Sequence, residues 1–116
     1  GPDNQPDTLM KLREMQATID SWIAQNGGYW SELSLLARLS EEVGEVSREY
    51  NHQFGGKRKK SSEADSSIEA ELADVMWIVL CMANQQGIDL QDAFQATMDK
   101  ITVRDAGRFV EGSDGG

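Results

Sequence analysis

Apolar residues recur at steps of 3 and 4 through most of the chain, the spacing that keeps side chains on one helical face. Leu9, Leu12, Met15, Ile19, Trp22 and Ile23 predict a first helix from about Thr8 to Gln25, stopped by Asn26-Gly27-Gly28. A second begins near Ser31, a candidate N-cap, and continues to about Phe54, with Leu39, Val43, Val46 and Tyr50 on one face. The stretch GGKRKKSSEADSS (55–67) has no apolar period and reads as a mobile loop. Ser66 followed by Glu69 fits a capping box, which predicts a third helix starting before Ile68 and ending at Gln86-Gly87. Asp89 can cap a fourth, from about Leu90 to Arg104, with Ala93, Phe94, Met98 and Ile101 inward. Nothing alternates as a strand would, and no internal repeat or low-complexity tract is visible. The pattern therefore predicts an all-α fold whose short connections suit a bundle.

The third helix is apolar on all sides between Leu72 and Ala83. Such a helix is expected to be buried from several directions, against other helices or another subunit. Asp74 interrupts that run, with Glu71 one turn earlier on the same face, so Asp74 should have difficulty reaching bulk water. An unpaired ionised carboxylate there needs a Lys or Arg, a proton or a metal cation. The second helix meanwhile concentrates Glu41, Glu42, Glu45 and Glu49, flanked by Arg38 and Arg48. Each like-charged pair at i,i+3 or i,i+4 costs an isolated helix about 0.2–0.5 kcal/mol. If the two helices pack antiparallel, Glu42, Glu45, Glu71 and Asp74 can converge on one cavity. All-oxygen ligation suits a hard cation, Mg²⁺ or Mn²⁺. The competing reading is a set of solvated faces in ordinary ion pairs, which leaves Asp74 unexplained. A di-iron bundle site would need Glu-x-x-His pairs, and His52, the only histidine, completes none. No EF-hand loop is present either. Glu49 reads as a surface residue.

Composition narrows the partners. At 116 residues the chain is most simply one domain, spanning 8–105 between flexible ends at 1–7 and 106–116. Gly1-Pro2 reads as a protease-cleavage remnant and is left out of the fold. A net charge of −9 argues against a nucleic-acid partner, which needs clustered Lys and Arg. An acidic chain can still take a nucleotide if a divalent cation stands between them. The single Cys81 forms no intramolecular disulfide or zinc-thiolate cluster and reads as a buried small hydrophobe. No signal peptide is visible and no apolar run approaches the ~20 residues of a membrane span. The expectation is a cytoplasmic protein with no membrane association.

With both acidic segments in hand, EEVGE (41–45) followed by ELAD (71–74) resembles the EExxE…ExxD signature of MazG-like nucleoside triphosphate pyrophosphohydrolases. These belong to the all-α NTP pyrophosphatase superfamily, with the helical dUTPases and dCTP pyrophosphatases. Both halves are present, each on a predicted helix, and the similarity runs from about Leu9 to Arg104. The resemblance implies a four-helix MazG-like bundle assembled as a tight homodimer or dimer of dimers, with sites built at subunit contacts. It implies Mg²⁺, with Mn²⁺ as a substitute, held by Glu42, Glu45, Glu71 and Asp74 and bridging a triphosphate. The implied reaction is hydrolysis between the α- and β-phosphates, giving a nucleoside monophosphate and pyrophosphate, for cleansing or control of nucleotide pools.

A carboxylate not fully used as a ligand can take the proton from the attacking water, and Glu45 and Glu41 are the candidates. The family also implies basic residues near the end of the last helix, where Lys100 and Arg104 share a face at i,i+4. Taken singly, each also reads as a helix-end cation complementing the dipole. Lys57, in the KRKK tract, could attract the triphosphate; a solvated charge run is the plainer reading. His52 and Asn51, at the end of the second helix, and Trp30, at its entry, lie where relatives contact the nucleobase. Trp77 and Met76 are assigned to packing. The alternative to an enzyme is a non-catalytic helical regulator that binds nucleotide or a partner protein, and the intact acids of both half-motifs favour the enzyme.

Overall fold

The computed structural model describes residues 10–56 and 66–105. They form four helices, α1 (Leu12–Gln25), α2 (Glu32–Phe54), α3 (Ile68–Gln85) and α4 (Leu90–Asp105), with no strand among the described residues; α1 starts at Leu12 rather than near Thr8, which with Leu9 lies outside the described residues. No helix is long and apolar enough to cross a membrane.

Local chemistry sets most of the helix ends. Ser31 caps α2 by accepting the Ser34 N–H at 3.2 Å, as its place in the sequence predicts. The carboxylate of Asp89 accepts the N–H groups of Gln91 and Asp92 at the start of α4. Gly27 and Gly28, with φ of 106° and 85°, take the left-handed turn after α1 that a side chain would oppose. The start of α3 corrects the sequence reading by one residue. Its cap is Ser67, which accepts the Ala70 N–H at 3.1 Å. Ser66 instead donates its hydroxyl to Glu49 on α2, a charge-assisted bond that a cap to a neutral amide does not match.

Cross-helix contacts fix the topology. Ser66 meets Glu49, and Gln85 donates to the Trp30 carbonyl, so α2 and α3 run antiparallel along their length. Gln16 meets Asn84 while Trp22 meets Trp77, so α1 also runs antiparallel to α3 and thus along α2. The connection 26–31 must therefore travel back over about 16 Å of α3, at 1.5 Å per helical residue. Six extended residues reach about 20 Å, which suffices.

The core forms where α1 and α2 both cover α3. Ile19, Leu35, Leu80 and Cys81 are buried together, with Leu12, Met15, Ile23, Tyr29, Met82 and Leu90 packed around them. Cys81, 2% exposed, is the buried hydrophobe expected, and burial pushes its thiol pKa up. A polar network fastens the same end. Gln16 donates to Asn84 and to the Ile88 carbonyl and accepts the Leu90 N–H, while Asn84 donates to the Gln16 carbonyl and to the Tyr29 hydroxyl. Tyr29 in turn donates to Asp20, and burial foremost raises its pKa to about 12.

Two expectations fail within one chain. The buried residues of α3 are Ile78, Leu80, Cys81 and Ala83, all in its C-terminal half; Leu72, Met76, Trp77 and Val79 are exposed. α4 packs on α1 through its first turn, where Arg13 pairs with Asp89 and Asp92 at 2.6 Å, and it buries none of its residues. Ala93, Phe94, Met98 and Ile101 are therefore not inward; Phe94 is 59% exposed. The physical reason is common to both: among the described residues no element lies over these faces.

Candidate metal centre between two helices

The antiparallel pairing of α2 and α3 sets the two acidic segments against each other. Glu42, Glu71 and Asp74 each present a carboxylate oxygen, and these atoms lie within 4.8 Å of one another. That separation and an all-oxygen donor set suit a hard divalent cation. The electrostatics agree. Burial first, then the charges of Asp74, Glu45, Glu42 and Glu49, push the Glu71 carboxyl above its ordinary value. Crowded negative charge at Glu71 therefore favours bound positive charge there, whether a proton or a cation.

The other acids divide according to their neighbours. Glu45, one turn from Glu42, stands outside the trio and accepts from Arg48 at 2.6 Å. Glu41 is exposed and faces Arg38, at 3.7 Å, rather than α3. Glu42 also meets Arg38, whose Nε donates to it at 2.9 Å. The sequence reading of Arg38 and Arg48 as flanking cations thus becomes ion pairs along α2, Arg38 with Glu41 and Glu42 and Arg48 with Glu45. Asp74 corrects an expectation: it is exposed, and the buried residues of α3 all lie in the other half of the helix. Glu49 corrects another. It is 4% exposed, not a surface residue, and holds Ser66. Its spacing of seven from Glu42, two turns along the same face, was the available signal.

A cavity of about 320 Å³ lies between the end of α1, the turn after it, the start of α2 and α3. Trp22, Tyr29, Trp30, Leu35, Trp77 and Cys81 are among its walls. Trp77 packs edge-on against Trp22 with ring centroids 5.8 Å apart, which fits its assignment to packing, whereas Met76 is exposed. Trp77 in its wall follows Asp74 by about one turn of α3.

The remaining sequence-derived candidates lie apart. Trp30 is at one end of α2, and Asn51 and His52 at the other, about 30 Å away at 1.5 Å per residue. One nucleobase cannot touch both ends within one chain. Lys100 and Arg104 are exposed on α4, beside a concavity lined by residues of that helix alone. Arg104 pairs with Asp105 at 2.8 Å. Lys57 falls outside the described residues.

Residues 30–109 match the MazG nucleotide pyrophosphohydrolase domain. The uncharacterized protein YpjD of Bacillus subtilis is 41% identical over 105 residues, covering 90% of this chain and 95% of its own length. The crystal structure of that organism's YPJD superposes with a TM-score of 0.74 at 39% identity, covering 84% of this chain and 99% of the other. The crystal structure of the Bacillus-conserved MazG protein, a nucleotide pyrophosphohydrolase, superposes with a TM-score of 0.71 at 40% identity, covering 86% and 98%.

Proposed function

The chain belongs to the MazG nucleotide pyrophosphohydrolase family, and from that membership we propose that it hydrolyses (deoxy)nucleoside triphosphates between the α- and β-phosphates. The products are a nucleoside monophosphate and pyrophosphate, and the reaction requires Mg²⁺, with Mn²⁺ as a substitute. The observation that carries this reading is the trio of carboxylate oxygens from Glu42, Glu71 and Asp74 within 4.8 Å.

These three residues would hold the cation, which supplies neutralisation of the polyphosphate charge and activation of water. Glu45 is the better candidate for the proton acceptor. It lies close enough to raise the Glu71 pKa yet outside the trio, whereas Glu41 turns toward Arg38. The aromatic cavity receives the base, with Trp30 as one wall. Its apolar lining and its position one turn from Asp74 support this over the far end of α2, where Asn51 and His52 sit. Lys100 and Arg104 reach phosphate only if a second copy brings its α4 across, since α4 of the same chain packs on α1. The uncovered apolar faces of α3 and α4 support that assembly, a homodimer or dimer of dimers. The cellular role is cleansing or control of nucleotide pools.

The test is product analysis over ribo-, deoxyribo- and modified pyrimidine triphosphates with Mg²⁺. Monophosphate and pyrophosphate in equal amounts are expected from at least one of them. Diphosphate and inorganic phosphate would overturn the assigned bond. Binding without turnover of any substrate would favour the regulator.

A further inference from the structure

Arg38 joins the metal centre to the groove beside it. It sits one turn before Glu42 on α2, and its Nε donates to Glu42 Oε2 at 2.9 Å. One terminal nitrogen of the guanidinium lies 3.7 Å from Glu41, and the group stands 5.7 Å from the centroid of the Trp30 ring. With Trp30, Ser31, Ser34, Ala37 and Glu41 it lines an open groove at the start of α2. The two partners differ in exposure: the Glu42 side chain is 12% exposed and that of Arg38 45%. The carboxylate is therefore fixed and partly desolvated, while the guanidinium has room to move and two further partners to move toward.

A guanidinium and a divalent cation are like-charged and seek the same carboxylate. We propose that Arg38 is the resident counter-ion of the Glu42–Glu71–Asp74 group in the cation-free protein, displaced from Glu42 when the cation binds. It withdraws toward Glu41 and the Trp30 ring, which keep a cation well placed there. Arg38 is thus a positioning residue, and the charge it brings offsets the repulsion among the carboxylates until the metal takes over. This rests on the cation site proposed above.

The experiment is calorimetric titration of the full chain with Mn²⁺, in the absence of nucleotide, paired with thermal melts across the same concentrations. Wild type, Arg38→Gln, Arg38→Lys and Glu42→Gln are compared. Without cation, Arg38→Gln should melt below wild type, and saturating Mn²⁺ should close that gap. Its Mn²⁺ affinity should rise a few-fold, the scale set by a half-exposed ion pair. Arg38→Lys, which keeps the charge but loses the planar fork, should fall between, and serves alone if Arg38→Gln does not fold. A melting gap that Mn²⁺ leaves unchanged, with equal or weaker affinity, would make Arg38 a static clamp and overturn the proposal. If that occurs while Glu42→Gln abolishes binding, the metal centre stands and only the role of Arg38 falls. If wild type binds no Mn²⁺, both fall.

Discussion

Glu71 carries the electrostatic cost of the proposed metal centre, and the sign of that cost can be read from pH. Burial and four neighbouring carboxylates raise its pKa above 4.5 in the folded chain. A carboxyl raised on folding contributes stability below its unfolded pKa and loses it as pH rises through the folded value. In cation-free buffer, Glu71→Gln should therefore melt higher than wild type at pH 7, with the advantage vanishing as the pH falls below about 4.5. Added Mg²⁺ should raise the melting temperature of wild type and not of the variant, because a ligand that binds only the folded state stabilises it. A variant that melts below wild type at every pH would refute this assignment. At this scale the sequence was informative where spacing decides. Glu42, Glu71 and Asp74 were legible because helical periodicity and antiparallel packing suffice to bring them together. Glu49 reads as a surface residue although its spacing of seven from Glu42 points to the same face; its partner Ser66, across the loop, carries no such signal. The Gln16–Asn84 network was not legible, since its members carry no periodic or charge signal.

Helix starts follow local chemistry except where a tertiary partner intervenes. Ser31 and Asp89 cap as expected, because the amides they serve lie within three residues. Ser66 has the better capping signal in sequence, with Glu69 three residues on, but it bonds Glu49 and leaves the cap to Ser67. Ser67→Ala should accordingly lower stability by about 1 kcal/mol in urea denaturation, the cost of a lost serine cap. Equal stability of Ser67→Ala and wild type would contradict the assigned cap. The helices themselves were legible throughout, since apolar periodicity reports which residues share a face. It does not report which element covers that face. The inward set predicted for α4 shares a face but has no partner in one chain.

Among the described residues, a small core lies at one end of three helices and the acidic trio toward the other. α1 closes the C-terminal half of α3 and leaves the half with Glu71 and Asp74 open. Leu72 and Met76 in that open half, Trp77 and Val79 beyond it, and Phe94, Met98 and Ile101 on α4 are exposed. Exposed apolar faces of this kind mark association surfaces. Sedimentation at micromolar concentration should give a dimer or tetramer, and Phe94→Glu should shift it toward monomer. A wild-type monomer would remove the route by which Lys100 and Arg104 reach the phosphates. The central claim is that carboxylates from two helices form the cation site of a nucleoside triphosphate pyrophosphohydrolase. It is tested most directly by the Mg²⁺-dependent rate of pyrophosphate release in wild type, Glu42→Gln and Asp74→Asn, each shown by circular dichroism to be folded. Outer-shell changes at metal sites already cost about 10–100-fold, so loss of a ligand should cost at least about 100-fold. Full activity in both variants would contradict the site.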